Sequence, residues 1–412
     1  MKKKIISVLT SAVCALGGFS GLSLDVSADV ATYGVLTYEN VDDNADGYID
    51  YVSIIGCDKS VTDVGVPSSI NGIAVRTIGA SAFEDCRALK SVIIPDTVLA
   101  IRENAFKYCT ELSSVTLGSG LNIIADQAFM FCKKLESISL PVGLQLIAFE
   151  AFSCTGLNSV TIPETVTEIG AYAFHNSSVG SANIPASVAL VGRGAFENTP
   201  VLENQEGLEY IDSWLLGADY GLTHADIKDG TLHIGVSAFE YCPTIKSVRL
   251  PEGLLSIEGW AFSDCSLLEK VTVPSSVRKI DWYAFDDCSK LMSITINGLS
   301  CEIYDASRTI NNISTAWDGE FYGTIYGFSD SSAQVYANKY GFYFSPFGGQ
   351  MKGDLSYNDN IDLYDAIETA KVVMGMRTLT EQEAVIADFD RSGTVDLYDT
   401  IMLARFILGV WE

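Results

Sequence analysis

The clearest chemistry in the sequence lies in two short acidic segments near the C-terminus. Their oxygen-bearing residues are Asp354, Ser356, Asn358, Asn360, Asp362 and Asp365 in the first, and Asp388, Asp390, Ser392, Thr394, Asp396 and Asp399 in the second. Side-chain oxygens fall at positions 1, 3, 5, 9 and 12 of both segments. Calcium takes six to eight oxygen ligands, and a loop with this spacing surrounds one ion with help from the backbone carbonyl at position 7. The spacing predicts two bound Ca²⁺ ions; the alternative is a pair of acidic turns without metal.

The two segments are halves of a short repeat with a period of 34 residues. Matching residues follow the two loops: Leu363, Tyr364 and Lys371 after the first, and Leu397, Tyr398 and Arg405 after the second. Residues 351–412 therefore resemble a type I-like dockerin, a small all-α module with two EF-hand-like calcium loops that binds cohesin domains of cellulosomal scaffold proteins. The resemblance implies a cohesin partner, calcium ligands at the oxygen positions above, and partner binding by the six matching residues. Asp359 replaces the usual Gly, and Leu-Tyr replaces a commoner hydroxyl pair, which leaves the cohesin class open.

An Ala-Phe pair recurs through most of the remaining chain. Its Phe stands at positions 83, 106, 129, 152, 174, 196, 239, 262 and 285. Spacings of 22 or 23 residues, with one of 43, predict a solenoid in which each period forms one coil. Segments such as Val92-Ile93-Ile94 predict short parallel strands ended by proline. We expect the Ala-Phe segment to form a short helical turn opposite them, with Phe in the core, and the wide spacing to hold an insertion around residues 199–235.

The units, as in Ile101, Ala105-Phe106, Cys109, Leu112 and Val115, resemble the BspA-like leucine-rich repeat family over about residues 30–345. The resemblance implies a β-rich α/β leucine-rich-repeat solenoid, and members of this family are mostly secreted or surface proteins implicated in adhesion and protein binding. The predicted organisation is a signal peptide at 1–28, an N-terminal cap at 29–78, the solenoid at 79–298, a C-terminal cap at 299–346, a linker at 347–350 and the dockerin-like module at 351–412.

Seven cysteines follow the repeat Phe by two or three residues: Cys86, Cys109, Cys132, Cys154, Cys242, Cys265 and Cys288. Equivalent residues of stacked coils point in parallel directions, whereas a disulfide needs converging Cβ atoms about 3.8 Å apart. Zinc would need close Cys pairs or grouped histidines, and the three histidines are scattered. We expect free thiols packed in the core rather than a disulfide framework or a zinc site.

Composition narrows the partners and the location. Asp and Glu number 52 against 26 Lys and Arg, and the net charge of −26 disfavours binding to nucleic acid. Three lysines, an apolar run and Val26-Ser27-Ala28 predict a signal peptide cleaved before Asp29. No later stretch of the sequence is apolar enough to span a membrane. We expect a secreted protein at the cell surface or in a cellulosome, without membrane insertion after signal removal.

Three other groups of residues have side chains that could carry chemistry. Two catalytic carboxyl groups of a glycoside hydrolase lie about 5–9.5 Å apart across a cleft, and only one stretch departs from the repeat enough to hold such a pair. That stretch contains Glu203, Glu206, Glu209, Asp212, Asp219, His224 and Asp226, and it is expected to be an insertion loop. Tyr172, Trp260, Trp282 and Tyr283 are expected to pack together, with carbohydrate contact as the alternative. Asp42 to Asp50 imitates a calcium loop but fits a hairpin turn better.

These features favour a secreted, non-catalytic binding protein that joins a cellulosome-type complex through calcium-dependent dockerin–cohesin binding. The outward strand positions are mostly small hydroxyl residues, which suit a protein or cell-wall surface as the ligand of the solenoid. One alternative is a dockerin-borne enzyme subunit that degrades plant polysaccharide, a glycoside hydrolase. Another is a cell-surface adhesin anchored by the dockerin.

Overall fold

The computed structural model describes residues 30–313, 319–347, 353–355, 361–390 and 392–408. The predicted signal peptide, most of the predicted linker and the predicted calcium ligands Ser356, Asn358 and Asn360 lie outside the described residues. Within the described ranges, no helix is both long enough and apolar enough to cross a membrane.

The N-terminal segment caps the first coil of the solenoid. Its strands are β1 (Val30–Tyr33), β2 (Leu36–Val41), β3 (Tyr51–Cys57), β4 (Asp63–Gly65), β5 (Ser69–Ile70) and β6 (Ile73–Ile78). Strands β1, β2 and β3 form an antiparallel meander, and β3 pairs in parallel with β6. Leu36, Val52 and Ile54 are buried in the same core as the coil residues, so the meander covers an end that would otherwise expose apolar side chains.

Two parallel ladders run along the first half of the solenoid. Its strands are β7 (Ser91–Ile93), β8 (Ala100–Ile101), β9 (Ser114–Thr116), β10 (Ile123–Ile124), β11 (Leu146–Ile147), β12 (Ser159–Val160), β13 (Glu168–Ile169), β14 (Ser181–Ala182) and β15 (Leu190–Val191). The predicted ladder joins β4, β7 and β9, and then β12 and β14. A second ladder, which the sequence analysis did not predict, joins β6, β8, β10, β11, β13 and β15. The predicted parallel stacking is confirmed.

The Ala-Phe segments form tight turns, and the prediction of short helices there is wrong. Asn104 and Tyr108, two residues before and after Phe106, have left-handed φ angles of 58° and 62°, and every other repeat Phe is flanked in the same way. A right-handed helix cannot continue through such residues. Instead, the N–H of Phe83 donates to the carbonyl of Ala105 in the next coil at 2.7 Å, and this bond recurs along the stack. The coils are therefore a β-solenoid, not an α/β one.

The repeat Phe side chains stack in the core. Neighbouring ring centroids lie 4.8–5.4 Å apart from Phe83 to Phe196 and again from Phe239 to Phe285. The repeat cysteines are free thiols, and all except the half-buried Cys154 are buried, which confirms that they are core residues. The thiols of Cys109, Cys132 and Cys288 each donate to the Phe carbonyl of the preceding coil at 3.0–3.1 Å. Each of these thiols thus links two coils.

A hairpin replaces one Ala-Phe turn inside the 43-residue spacing. The strands of this stretch are β16 (Glu203–Gln205), β17 (Leu208–Ile211), β18 (Trp214–Ala218), β19 (His224–Asp226) and β20 (His233–Ile234). Strands β16, β17 and β18 are antiparallel, and β18 then pairs in parallel with β20. Asp212 accepts the N–H of Ile184 at 2.7 Å, which ties the hairpin to the coil before it. The solenoid therefore continues through an insertion, as predicted, but its Phe stack is interrupted.

The second half of the solenoid ends in a helical cap. Its elements are β21 (Ser247–Arg249), β22 (Ser256–Ile257), β23 (Lys270–Val273), β24 (Lys279–Ile280), β25 (Ser293–Ile296), β26 (Glu302–Ile303), β27 (Thr324–Gly327), α1 (Ser332–Tyr340) and β28 (Tyr343–Pro346). One ladder joins β18, β20, β22, β24 and β26, and the other joins β19, β21, β23, β25, β27 and β28. Helix α1 begins after the N-cap Ser331 and ends at Gly341, and its buried Ala333 and Ala337 close the core.

Three helices follow the cap: α2 (Leu363–Val373), α3 (Glu381–Ala387) and α4 (Leu397–Leu408). Helices α2 and α3 each begin with a capping box, Asp362 with Asp365 and Thr380 with Glu383. In each box the two side chains accept backbone N–H groups that have no partner within the helix. Arg377 joins α2 to α3 through Glu368 at 2.6 Å and Glu383 at 2.7 Å. We refer to the described residues from Gly353 to Leu408 as the C-terminal module.

Replacing Cys109 with Ala should lower the free energy of unfolding by about 1–2 kcal/mol, because a buried sulfur and its bond to Phe83 are lost. Cys154→Ala is the matched control, since that thiol is only half-buried. Urea unfolding followed by circular dichroism measures both variants. A Cys109→Ala midpoint no lower than that of Cys154→Ala would contradict the packing role.

Candidate functional site

The second acidic loop brings three carboxylates together. Side-chain oxygens of Asp388, Asp390 and Asp399 lie within 4.8 Å of one another. The loop backbone positions them: the N–H of Gly393 donates to Asp388 and the N–H of Asp390 donates to Asp399, both at 3.0 Å. Gly393 has a left-handed φ of 87°, which a residue with a side chain rarely adopts. Positions 1, 3 and 12 of the predicted loop therefore converge on one point.

The charges of this cluster fit a hard cation. Oδ1 of Asp388 is buried and has no hydrogen-bond partner among the described residues. Burial raises the pKa of Asp399, and the neighbouring charges of Asp390 and Asp388 add to that rise. An oxygen-only ligand set with mutually repelling carboxylates suits calcium, whose charge would relieve the repulsion. The residues present therefore fit a calcium ion.

The two loops share their hydrogen bonds where each loop meets its helix. Asp362 and Asp396 each accept the backbone N–H two residues further on at 2.7 Å. Their own N–H groups donate to Asp365 and Asp399 at 2.8 Å. Asp354 and Asp365 of the first loop are fully buried, while the three predicted ligands between Asp354 and Asp362 lie outside the described residues. The two loops are thus alike in the segments that the structure describes in both of them.

An exposed apolar triplet follows each loop. The triplets, with their exposed fractions, are Leu363 (64%), Tyr364 (69%) and Ile367 (43%) in α2, and Leu397 (61%), Tyr398 (51%) and Ile401 (41%) in α4. Ile367 and Ile401 were not predicted as surface residues, although each lies four residues after its Leu and so on the same helix face. Each triplet therefore forms an apolar surface at the start of its helix, and contiguous apolar surface of this kind is common at interaction sites.

The two basic residues near the triplets differ in their surroundings. Lys371 forms an ion pair with Glu368 of the same helix at 2.6 Å. Arg405 of α4 is exposed. The two halves are therefore more alike in their apolar triplets than in their charges.

The C-terminal module packs against the last coil of the solenoid. Phe389, Met402 and Leu403 share an apolar cluster with Met292, which is only 7% exposed, and the Phe389 ring centroid lies 6.2 Å from that of Tyr322. The equivalent positions of the other coils hold Lys90, Ser113, Glu136, Asn158, Gly180, Lys246 and Glu269, all of them exposed. The last coil therefore has an apolar contact where these seven coils have polar surface or glycine.

The outward face of the β7 and β9 ladder carries small hydroxyl residues, as predicted. Ser114, Thr116, Ser159 and Thr161 are exposed on it. A groove of about 580 Å³ crosses this face where residues 137–139 lie outside the ladder, between β9 and β12. Its lining is hydroxyl and aliphatic, without the aromatic rings that a stacking platform for sugars would need.

The interrupted Phe stack leaves a polar cleft of about 300 Å³ beside the hairpin. Arg193 and Glu240 form an ion pair at 2.7 Å, and Glu209 and Asp219 also line the cleft. Burial raises the pKa of Glu209, with a further rise from Asp219. The other residues of the irregular stretch lie outside the cleft. Glu203 and Glu206 are exposed to solvent. Asp212 is hydrogen-bonded to the N–H of Ile184, His224 is hydrogen-bonded to Ser247, and Asp226 forms an ion pair with Arg249. Of the predicted candidates, the structure thus brings only Glu209 and Asp219 into one cleft.

The expected aromatic cluster forms without one of its members. Trp260 lies 3.8 Å from Trp282 and 6.1 Å from Tyr283 between ring centroids, and all three side chains are half-buried. Tyr172 instead contacts Phe149 and lines the cleft beside the hairpin. The cluster is therefore packing between neighbouring coils, and Tyr172 belongs to another surface.

The acidic stretch from Asp42 to Asp50 joins two antiparallel strands, β2 and β3, which confirms the hairpin. Asp42 accepts the N–H of Gly47 at 2.7 Å, and Asp50 accepts the N–H of Asp43 at 2.9 Å. These carboxylates are thus used to hold the turn.

The stacked coils and their end caps define a repeat solenoid protein. The chain belongs to the BspA-type leucine-rich repeat family, because six copies of that repeat match residues 76–203 and 215–315, more than half of the chain. The match ends before the C-terminal module. Among curated proteins, none matches this chain.

Solved leucine-rich repeat structures are similar to this chain at low identity. A leucine rich cell surface protein from Faecalibacterium prausnitzii is 22% identical, with 73% of this chain and 100% of that chain covered and a TM-score of 0.37. The T. pallidum leucine rich repeat protein is 26% identical over 58% of this chain and 90% of that one, with a TM-score of 0.34. A leucine-rich repeat protein from Bacteroides ovatus is 19% identical over 77% and 99%, with a TM-score of 0.34.

Replacing Met292 with Lys should release the C-terminal module from the last coil, because the ammonium group would be buried against Phe389. Two other coils carry Lys at this position, so the coil itself tolerates the change. Losing a buried Met contact of about 1.5–3 kcal/mol should raise the undocked population at least tenfold, and with it the rate of limited trypsin cleavage between the solenoid and the module. Glu269→Lys, at the equivalent exposed position, is the control and should leave the cleavage rate unchanged. Equal rates in the two variants would mean that Met292 does not hold the module.

Proposed function

We propose that this protein is an exported, non-catalytic binding protein whose C-terminal module attaches it to a cohesin domain of an extracellular scaffold protein. The observation that carries the proposal is the pairing of two equivalent loop-and-helix halves, each with an acidic loop followed by an exposed apolar triplet. An acidic loop alone would suggest a metal, and an exposed triplet alone would suggest a contact surface. Their repetition in the same order is the arrangement that the dockerin resemblance implies.

Calcium is the cofactor in this proposal, one ion in each loop. Support comes from the three converging carboxylates of the second loop and from the buried Oδ1 of Asp388 without a hydrogen-bond partner among the described residues. The buried Asp354 and Asp365 of the first loop support a second ion. Bound calcium would hold each loop closed at the start of its helix, and so fix the orientation of the apolar triplet that begins there.

The cohesin would cover the apolar triplets. Leu363 and Leu397 begin their helices directly after the loop, and both are more than 60% exposed. The module turns a different face, with Phe389 and Met402, toward the solenoid. The surfaces for the solenoid and for the partner are thus separate, so docking on the solenoid leaves both triplets free to bind.

The solenoid would supply the second binding surface. Its hydroxyl face and the groove at residues 137–139 suit a protein or cell-wall surface, as in an adhesin held at the cell by its module. The competing proposal, a polysaccharide-degrading enzyme, would have to use Glu209 and Asp219 in the cleft beside the hairpin. Release of reducing sugar from plant cell-wall material by the full chain, and its loss in Glu209→Gln, would favour the enzyme.

Calcium titration of the full chain by isothermal calorimetry should show two bound ions. Asp388→Asn should weaken one site by more than about tenfold, because it removes a charge from the ligand set while an amide oxygen still accepts from Gly393. Asp42→Asn is the matched control, since Asp42 binds Gly47 in the same way within a hairpin turn. The loops are not calcium sites if the wild-type protein binds no calcium, or if both variants lose calcium affinity equally.

Either half of the module should be enough for cohesin binding, because the triplets are equivalent. Replacing Leu363 and Tyr364 with Ala should cost only about RT ln 2, roughly 0.4 kcal/mol, as should replacing Leu397 and Tyr398. Changing all four should cost several kcal/mol, a strongly non-additive result. Titration against a panel of cohesin domains measures this, with circular dichroism to confirm folding.

The control for these variants replaces Met374 and Met376, which are exposed but outside the triplets, with Ala. This control should bind as wild type does. If one half-variant alone abolishes binding while it stays folded, that half is the sole docking surface. If no cohesin binds the wild-type chain in calcium, the proposed partner is wrong.

A further inference from the structure

One thiol of the repeat lies next to another thiol. The sulfurs of Cys109, Cys132 and Cys288 each donate to a Phe carbonyl of the coil before them. Cys86 belongs to the first coil, which has no coil before it. Its Sγ instead lies 3.2 Å from the Sγ of Cys57, at the end of β3 in the N-terminal cap.

We propose that Cys57 and Cys86 form a disulfide that joins the N-terminal cap to the first coil, while the other repeat thiols stay reduced. A disulfide sulfur pair lies about 2.0 Å apart, so the two sulfurs need to approach by only about 1 Å. Both ends are set by the fold: Cys57 ends a strand paired with β2, and Cys86 is fixed by its coil. The proposal is independent of the C-terminal module and its partner.

Access and acidity favour this pair over any other. Cys57 is partly exposed, whereas Cys109 is buried and its thiol is engaged with the carbonyl of Phe83. The hydrogen bond from Cys57 lowers the pKa of Cys86, while burial raises the pKa of Cys109 to about 12. Since the thiolate is the reactive form, this difference in pKa favours reaction of Cys86 over Cys109.

The reaction needs a disulfide oxidant, such as oxidised glutathione or the active-site disulfide of a thiol oxidoreductase. Loss of one proton from the two cysteines leaves a single thiolate, and the remaining proton can pass between their sulfurs, which lie 3.2 Å apart. As the thiolate, the partly exposed Cys57 attacks one oxidant sulfur and releases the first oxidant thiol. The Cys86 thiolate then attacks the Cys57 sulfur, which forms the Cys57–Cys86 bond and releases the second oxidant thiol. The oxidant disulfide gains two electrons, and the two protons lost by the cysteines end on its two thiols.

Such a bond would lock the end of the solenoid that is most open to fraying. Terminal coils lack a neighbour on one side, and the cap shares one core with the first Phe of the stack, Phe83, which is fully buried. A covalent link between cap and coil restricts the unfolded chain and so stabilises the capped state. Because the predicted signal peptide implies export, the bond would form where disulfide oxidants are present.

The test uses the full chain, purified with reductant and then equilibrated with oxidised glutathione. After alkylation and digestion, mass spectrometry should find one disulfide, between the peptides that contain Cys57 and Cys86, with all other cysteines alkylated. Oxidation should also raise the thermal midpoint of unfolding by several degrees in wild-type protein. Glutathione left on Cys57 with Cys86 alkylated, a different pair, or no disulfide at all would overturn the proposal.

Two variants separate the pair from general effects of oxidation. Cys57→Ser should abolish the rise in the thermal midpoint, and Cys154→Ser, which removes another partly exposed thiol, should retain it. If oxidation still raises the thermal midpoint of Cys57→Ser, other thiols cause the rise and the proposal is wrong. If Cys57→Ser does not fold, Cys57→Ala takes its place, and the wild-type peptide map still decides the pairing.

Discussion

The backbone hydrogen bonds between neighbouring coils are the interaction on which the rest of the structure depends. They run through two ladders of very short strands and through the Ala-Phe turns, where the N–H of the Phe reaches the next coil wherever that coil continues the stack. Each turn contains two left-handed residues, at a cost of roughly 1–2 kcal/mol per residue. That cost is offset because the turn places its N–H groups in register with the next coil and stacks the Phe rings in the core. A coil therefore satisfies its polar groups and buries its Phe only when a neighbour is present.

The repeat is altered at its first coil, at the missing Ala-Phe turn and at its last coil, and each alteration produces a local contact or cleft that regular coils lack. The first coil has no preceding carbonyl for Cys86, and Cys57 of the cap takes that place. The missing Ala-Phe turn between Phe196 and Phe239 leaves the cleft beside the hairpin. Met292 replaces a polar surface position in the last coil and contacts the C-terminal module. In a solenoid whose coils are otherwise equivalent, such changes indicate where it meets something other than another coil.

The sequence predicted the period of the coils and their buried residues, but not the backbone geometry within each coil. The Ala-Phe period predicted the coils, the buried Phe and the free thiols. The second ladder was missed because strands of two residues, such as Ala100–Ile101, are too short to show an alternating pattern. The turns were mistaken for helices because residues such as Asn104 and Tyr108, not Gly, adopt the left-handed conformation. In the module, the Leu-Tyr pairs were visible in the repeat, but the exposure of Ile367 and Ile401 depends on which face packs inward.

The contact at Met292 bears on how the proposed docking would work. Suppose that only a flexible segment joined the module to the solenoid. The solenoid could then take the same range of positions in either docking orientation on a cohesin. Because Phe389, Met402 and Leu403 pack on the last coil, a half-turn of the module would turn the whole solenoid with it. The hydroxyl face would then be presented in two different directions from one attachment point. Equivalent triplets on a rigidly mounted module would thus widen the reach of the solenoid without any motion inside the protein.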